Sequence, residues 1–332
     1  MSPGSAKLLA GPLRRKPGGV RFRPDNTPPY ARPATLEPTA LRANHRGGRW
    51  FESTAAHHQS EFSRTIGQLV RRVGTLAAHM SVIDFCDALA DDYDLVYGDR
   101  WEEAISCQGE AIDRLIQSSL GSGVKNVLDC SCGIGTQALG LAMRGHRVLG
   151  TDISQRSVER ARREASRLGL HATFAIADFR DLGPVPGTFD VVISCDNAIP
   201  HLLTDSEIRQ ALGSMHTKLR HRGLLVVSVR DYDRWLVERP ATASPTFMAG
   251  PPRRLLVRFH DWEEAGPIYD LHFFVLSELN HEWSLTAHYQ ARYRALPRHE
   301  LDAAAHHVSF DAIRWHEPEE VGFHQPVLTA RA

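Results

Sequence analysis

Lysine is almost missing from this chain. Lys7, Lys16, Lys125 and Lys218 are its four lysines, against 39 lysine and arginine residues in all. GC-rich coding produces that bias, and it carries no message about function. Cysteine is scarce too. Cys86, Cys107, Cys130, Cys132 and Cys195 are odd in number and lack framework spacing. That excludes a disulfide scaffold and fits a reducing compartment. Cys130 and Cys132 are two apart rather than three, so there is no CxxC redox pair. No run of 18 apolar residues occurs, which excludes a transmembrane helix. The apolar stretch in "MSPGSAKLLAGPLRRKPGG" is too short for a signal peptide, so a cytoplasmic protein is expected. His57-His58 and His306-His307 lack ligand spacing, and no metal is expected.

Apolar residues fill 42% of the 332 positions, enough for one large domain with an insertion or for two domains. Net charge is zero, yet residues 1–72 hold 13 Lys and Arg against Asp25, Glu37, Glu52 and Glu61. The remainder carries the matching deficit, 26 against 35. A basic arm can bind nucleic acid or anionic membrane. Residues 1–50, rich in Pro, Gly and Arg and without hydrophobic period, read instead as a disordered extension. Within 1–79 only residues 60–76 have helical spacing, through Phe62, Ile66, Leu69, Val70 and Val73. Compact sequence opens at Met80, a candidate for the natural start.

Residues 80–239 read as a core of alternating helices and strands. Helices are expected at 82–90, 101–118, 136–144 and 154–168. A further helix is opened by the capping box of Thr204 and Glu207. Strands are expected at 125–130, 146–152, 172–178, 189–195 and 224–231. Such alternation implies a parallel sheet with helices on both faces. Over 240–296 the pattern changes. "ATASPTFMAGPPR" reads as a loop, and "RLLVRFHDW", "IYDLHFFVLSEL" and "EWSLTAHYQARYRA" as three antiparallel strands. Residues 297–332 return to a helix, from Pro297, and two strands, "FDAIRWH" and "FHQPVLTAR".

Two stretches carry chemistry. In "VLDCSCGIGT" a strand ends in Asp129, and Gly133 and Gly135 turn the chain into a helix whose free N–H groups face a ligand. Asp152 ends the next strand 19 residues after Gly133, where a carboxylate suits two ribose hydroxyls. Asp178 follows the third strand. The dinucleotide pattern GxGxxG is left incomplete by Ala138, which argues against an NAD-dependent dehydrogenase. The layout fits an adenosine with no pyrophosphate. In "FDVVISCDNAIPHLL" a buried strand ends at Cys195, then Asp196, Asn197, Pro200 and His201 follow. Asp and Asn favour turns, so this is either turn chemistry or a site.

These features resemble the class I S-adenosylmethionine-dependent methyltransferases. The resemblance runs from about residue 81 to the end. It implies a Rossmann-like, seven-stranded, mostly parallel sheet whose last strand is antiparallel. It puts Asp129, Gly133 and Gly135 by the methionine part of the cofactor, Asp152 and Ile153 by ribose and adenine, and Asp178 and Phe179 by the adenine amine, with Cys195 at the cofactor side of the crevice. Within that class, "YDLVYGDRW", "DNAIPHL" and "VRDYDRWL" resemble segments of glycine and glycine/sarcosine N-methyltransferases. This implies that Tyr93, Tyr97 and Trp101 belong to a cofactor lid, and that Asn197, Arg230 and Tyr232 hold an amino-acid acceptor. Asp196 stands where those enzymes have glycine, so the acceptor differs or need not be glycine. His201 is a candidate base, or a packing residue, and Arg230 could instead pair with Asp231 or Asp233 at the surface. The expected partner is a small-molecule acceptor, an amine or amino acid, with no membrane. The resemblance also implies a homo-oligomer. Alternatives are an O- or C-methyltransferase with the inserted strands as acceptor cap, and a nucleic-acid enzyme using the basic arm. The "TPPY" at 27–30 is read as a decoy.

Overall fold

The computed structural model describes residues 80–332; the basic extension, the helix expected at 60–76 and "TPPY" lie outside the described residues. The chain enters through α1 (Val82–Leu89), whose first turn is capped by the Ser81 hydroxyl accepting from the Asp84 N–H. Two single-turn 3-10 helices, Tyr93–Val96 and Gly98–Arg100, lead into α2 (Trp101–Leu120). Alternation then follows. The elements are β1 (Asn126–Asp129), α3 (Thr136–Met143), β2 (Arg147–Asp152), α4 (Gln155–Arg167), β3 (Ala172–Ile176), β4 (Phe189–Ser194), α5 (Asp205–Lys218) and β5 (Leu219–Ser228). Thr204 caps α5 as the sequence predicts, its hydroxyl accepting from the Glu207 N–H at 3.3 Å.

After α6 (Tyr232–Glu238) come four antiparallel strands: β6 (Thr242–Met248), β7 (Arg254–Trp262), β8 (Ile268–Leu279) and β9 (Glu282–Arg294). The chain closes with α7 (Arg298–His307), β10 (Asp311–His316), α8 (Pro318–Val321) and β11 (Val327–Arg331). The main sheet has the order β10-β11-β5-β4-β1-β2-β3, with β1 to β5 parallel and β11 antiparallel to both of its neighbours. Central strands are apolar on both faces because helices cover both. Val191 to Ile193 and Leu224 to Val227 are all buried.

Two expectations need correction, and proline explains both. The stretch read as a loop holds β6, an edge strand of the second sheet. Pro245 sits at the register shift between Ala243 and Thr246, where the ladder needs no N–H from it. The last strand begins at Val327, not Phe323. Pro326 has no N–H to give a ladder, and residues 323–326 form a loop over the carboxyl ends of the strands. The β8–β9 hairpin turns at Asn280 and His281, both with positive φ, as a two-residue hairpin turn requires.

The second sheet faces the first with Leu256, Tyr269, Leu271, Phe273, Val275, Ala291 and Tyr293, which share one apolar core with Leu128, Val192, Leu225 and Val227. On the other side, α2 packs on α3 through two helix glycines. A Cβ on Gly109 would lie 2.4 Å from the Gly140 carbonyl carbon, so only glycine permits this approach. The contact fixes the segment before α2 against the turn that opens α3.

Candidate active site

Because β1 to β5 run parallel, their last residues share one edge, and the strand order reverses direction between β1 and β4. A crevice at that reversal is where open α/β sheets bind ligands. Asp129, Asp152 and the Cys195-Asp196-Asn197 turn all stand there, and Arg230 follows β5.

On the β1–β2 side the backbone does most of the work. Gly133 and Gly135 have φ of 50° and 98°, open to glycine without strain. At Gly133 an added Cβ would meet nothing within 4 Å, so the backbone there is bare. Asp152 is oriented by two main-chain donors: Gly133 N–H at 2.8 Å on one oxygen and Ser154 N–H at 2.9 Å on the other. Each oxygen keeps a lone pair for a hydroxyl. Burial raises its pKa against the pull of these donors. Asp129 is sealed more tightly. One oxygen accepts weakly from Ser131 N–H at 3.4 Å, and the other is buried without a well-formed hydrogen bond, with the Ala138 N–H near the carboxyl group. Burial pushes its pKa to about 8, with Asp152 adding repulsion. An orphaned buried carboxylate oxygen is what a ligand ammonium would satisfy. Bare backbone, an oriented carboxylate at the end of β2 and an orphaned one at the end of β1 together fit S-adenosylmethionine. Ile153 is half-buried beside Asp152. Asp178 stands beyond β3, clamped by Arg180 through its N–H, Nε and Nη2, with Arg180 also reaching Glu207 at 3.0 Å. Burial opposes ionisation of Asp178, and Arg180 outweighs it to lower the pKa. Phe179 packs on the apolar core.

The β4–β5 side is built from side chains. Asp196 and Asn197 have φ of 60° and 71°. Two successive left-handed non-glycine residues cost roughly 1–2 kcal/mol each. Hydrogen bonds to the end of β5 hold them: Asp196 N–H donates to the Ser228 hydroxyl at 2.7 Å, and Asn197 N–H to the Ser228 carbonyl at 3.2 Å. The turn presents Asp196 as a hub. One of its oxygens accepts from Tyr97 at 2.5 Å and Tyr93 at 3.4 Å; the other accepts from His324 Nε2 at 3.0 Å and Gln325 Nε2 at 3.3 Å. Burial alone would raise its pKa, but His324, Tyr97 and the Arg230 charge hold it at about 2. Those four donors fill its acceptor sites. They tie the segment before α2 to the loop before β11. Trp101, buried at the start of α2, donates to the Thr136 hydroxyl at 3.2 Å, and the Arg160 guanidinium lies 5.3 Å from its ring. Tyr97 and Trp101 thus reach Asp196 and the start of α3 after the glycine turn. Cys195 is buried behind the turn, where burial raises its thiol pKa.

Arg230 turns inward, not to the surface. Asp231 caps α6 through the Arg234 N–H, and Asp233 pairs with Arg298. Arg230 donates to the Tyr269 hydroxyl at 2.8 Å and lies 5.1 Å from the Trp235 ring and 5.6 Å from Tyr293. Tyr232, 1% exposed, shares a 2.8 Å hydrogen bond with Tyr269. Tyr269 stacks on Tyr293 at 5.6 Å and 14°. Asn197 Oδ1 accepts from the Arg230 N–H at 3.1 Å. Its Nδ2 is buried without a well-formed hydrogen bond, with the Tyr232 hydroxyl nearby. His201 lies on Tyr293 at 4.1 Å. Burial first, then the Arg230 charge, lower its pKa to about 3, so it is neutral and weakly basic. Tyr269, Tyr293, Trp235, His324 and Gln325 were not foreseen. Period-2 alternation along β8 and β9 puts both tyrosines on the inward face, a signal readable once the pairing register is known. Among the described residues no His, Cys, Asp or Glu cluster could hold a metal ion, and no helix is long and apolar enough to cross a membrane.

Fold and crevice resemble those of S-adenosylmethionine-dependent methyltransferases. Residues 127–223 match a family described as a methyltransferase domain. The chain is 31% identical over 157 residues to the glycine/sarcosine N-methyltransferase of Parasynechococcus marenigrum, covering 45% of this chain and 55% of that one. It is 27% identical over 159 residues to the enzyme of the same name from Aphanothece halophytica, covering 46% and 59%. The chain therefore spans about half the length of the curated relatives it matches. In fold it is similar to SAM-bound CalS10, an amino pentose methyltransferase from Micromonospora echinaspora. The TM-score is 0.58 and the identity 21%, over 72% of this chain and 95% of that one.

Proposed function

We propose that the protein transfers a methyl group from S-adenosylmethionine to the nitrogen of a small amine that carries a carboxylate. The observation that carries this reading is Arg230. It is a guanidinium inside an aromatic box at the end of β5, beside Asn197, and no carboxylate pairs with it among the described residues. A planar fork of donors in such a place is suited to a carboxylate. The similarity to glycine/sarcosine N-methyltransferases supports the same reading.

When bound, S-adenosylmethionine supplies a methyl group already activated on a sulfonium. The chain's own task is to hold the acceptor in line, keep water out and fix its protonation. Arg230 takes the carboxylate. Asn197 Oδ1 uses one lone pair on the Arg230 N–H and offers the other to the amine. The guanidinium charge disfavours an ammonium beside it, so the neutral amine is the form that reacts. His201 serves as a neutral wall of the pocket. Tyr93 and Tyr97, tied to Asp196, cover the crevice.

The test is incubation with S-adenosylmethionine labelled in its methyl group and pairs of amines, each as the free carboxylate and as its amide, with products identified by mass spectrometry. Methylated nitrogen on the carboxylates alone is the expected result. Equal transfer to the amides, or label on oxygen or carbon, would overturn the acceptor assignment.

A further inference from the structure

A second arginine stands in the acceptor pocket, and nothing above gives it a task. Arg258 lies in the middle of β7, paired across the ladders with Ala243 on one side and Phe273 on the other. Alternation along β7 puts it on the same face as Leu256, His260 and Trp262, which pack toward the inner core and the Trp235–Tyr269 aromatic box. Its one direct hydrogen bond among the described residues runs from Nη2 to the Ser244 carbonyl at 3.2 Å. Its Nε is buried and has no partner there. Neither Arg230 nor Arg258 has an acidic side chain within ion-pair distance among the described residues.

A half-buried cation whose Nε is shut away from water and that has no counter-ion carries a desolvation cost, which a ligand anion can offset. The electrostatic surroundings of Arg258 agree. Burial first, then repulsion from Arg230, lower its pKa to about 10, while Asp196, Tyr93 and Tyr97 pull the other way. Asp196 cannot neutralise both guanidinium groups: it carries one charge, and its acceptor sites are filled by Tyr93, Tyr97, His324 and Gln325. The pocket therefore holds two fixed positive charges against one negative, and one further anion balances it.

We propose that Arg258 is the second cationic contact of the acceptor pocket, and that the acceptor's carboxylate is the anion that neutralises Arg230 and Arg258 together. This rests on the methyl-transfer reading and extends it by naming the residue of the inserted sheet that selects an anionic acceptor. An uncharged amine would leave both guanidinium groups unbalanced.

The experiment uses the full chain saturated with S-adenosylhomocysteine, with acetate as the probe and acetamide as its uncharged counterpart, at ionic strength matched with chloride. Thermal unfolding is followed as each is added. Acetate is expected to raise the Tm and acetamide is not. Arg258→Gln is expected to need at least tenfold more acetate for the same shift, with S-adenosylhomocysteine affinity within twofold of the parent. A second variant guards against misfolding. Arg258→Met removes an unbalanced, half-buried charge, so its Tm without ligands is expected to rise, whereas loss of a merely structural arginine would lower it. The proposal is overturned if acetate and acetamide act alike on the parent chain, if Arg258→Gln responds to acetate as the parent does, or if Arg258→Met is destabilised. Failure of the parent to bind S-adenosylhomocysteine would strike the underlying methyl-transfer reading instead.

Discussion

The two sides of the crevice are made of different materials. On the β1–β2 side, the crevice is lined by main-chain groups and two carboxylates within one βαβ unit: the bare turn at Gly133 and Gly135, Asp152 held by Gly133 and Ser154, and Asp129 with one orphaned oxygen. On the β4–β5 side, the lining is made of side chains far apart in the chain. Tyr93, Tyr97, Asn197, Arg230, Tyr269, Tyr293 and His324 meet only because the second sheet and the loop before β11 fold over the strand ends. A backbone-built site is set by local turn geometry. A side-chain-built site can change one ligand at a time while the fold stays put. Asp196 joins the two, holding Tyr93 and Tyr97 on one oxygen and the loop before β11 on the other.

That contrast can be broken at graded points. Arg230→Ala should strike the acceptor side alone: the acceptor kcat/KM is expected to fall about 100-fold, mainly through KM, which is about 2.7 kcal/mol. S-adenosylhomocysteine affinity should stay within twofold. A parallel loss of cofactor affinity would mean that the two sides are not separable. Asp196→Asn should disturb both at once, because one oxygen becomes an amide that cannot accept from its donors. About tenfold losses are expected in S-adenosylhomocysteine affinity and in acceptor KM; a change confined to one side would remove Asp196 as the joint.

Two smaller effects concern protons. Asp129, with its pKa near 8, is mostly protonated at pH 7. A ligand ammonium favours the carboxylate, so binding of S-adenosylhomocysteine at pH 7 should release most of one proton. Calorimetry in buffers of different ionisation enthalpy measures this, and Asp129→Asn should abolish it. His201, His260 and His272 have pKa values lowered to about 3, 3 and 4 by burial first and by neighbouring cations after it. The unfolded chain binds protons on these rings below about pH 6.5 and the native chain does not. Native stability should therefore fall as pH drops from 6.5 toward 4, by up to about 1.4 kcal/mol per pH unit for each ring. His201→Phe should flatten that slope in denaturant titrations at pH 5 and 7. An unchanged slope would mean that His201 is not held neutral by burial.

The same contrast decides how much can be read without coordinates. Strand and helix order, the glycine turn and the acid at the end of β2 are local patterns of a few residues, and all were legible. So was the Asp196-Asn197 turn as a place of interest, although not its left-handed geometry or its ties to Ser228. His324 and Gln325 are illegible because "FHQPVLTAR" reads as one continuous strand. Pro326 ends the ladder before them, and that frees the loop to reach Asp196. Arg258 was illegible for another reason. On β7 an arginine reads as a solvent-facing residue, and only the pairing with Phe273 and Ala243, together with the inward neighbours Leu256 and His260, reveals that it faces the core. Register across three strands is not written in any one of them.

The central claim is that the carboxyl ends of β1 and β2 hold S-adenosylmethionine. Calorimetric titration of S-adenosylhomocysteine into the parent chain and into Asp152→Ala tests it most directly. The expected result is saturable binding at one site per chain, weakened at least tenfold by the substitution. No saturable binding to the parent, or equal affinity in the variant, would contradict it.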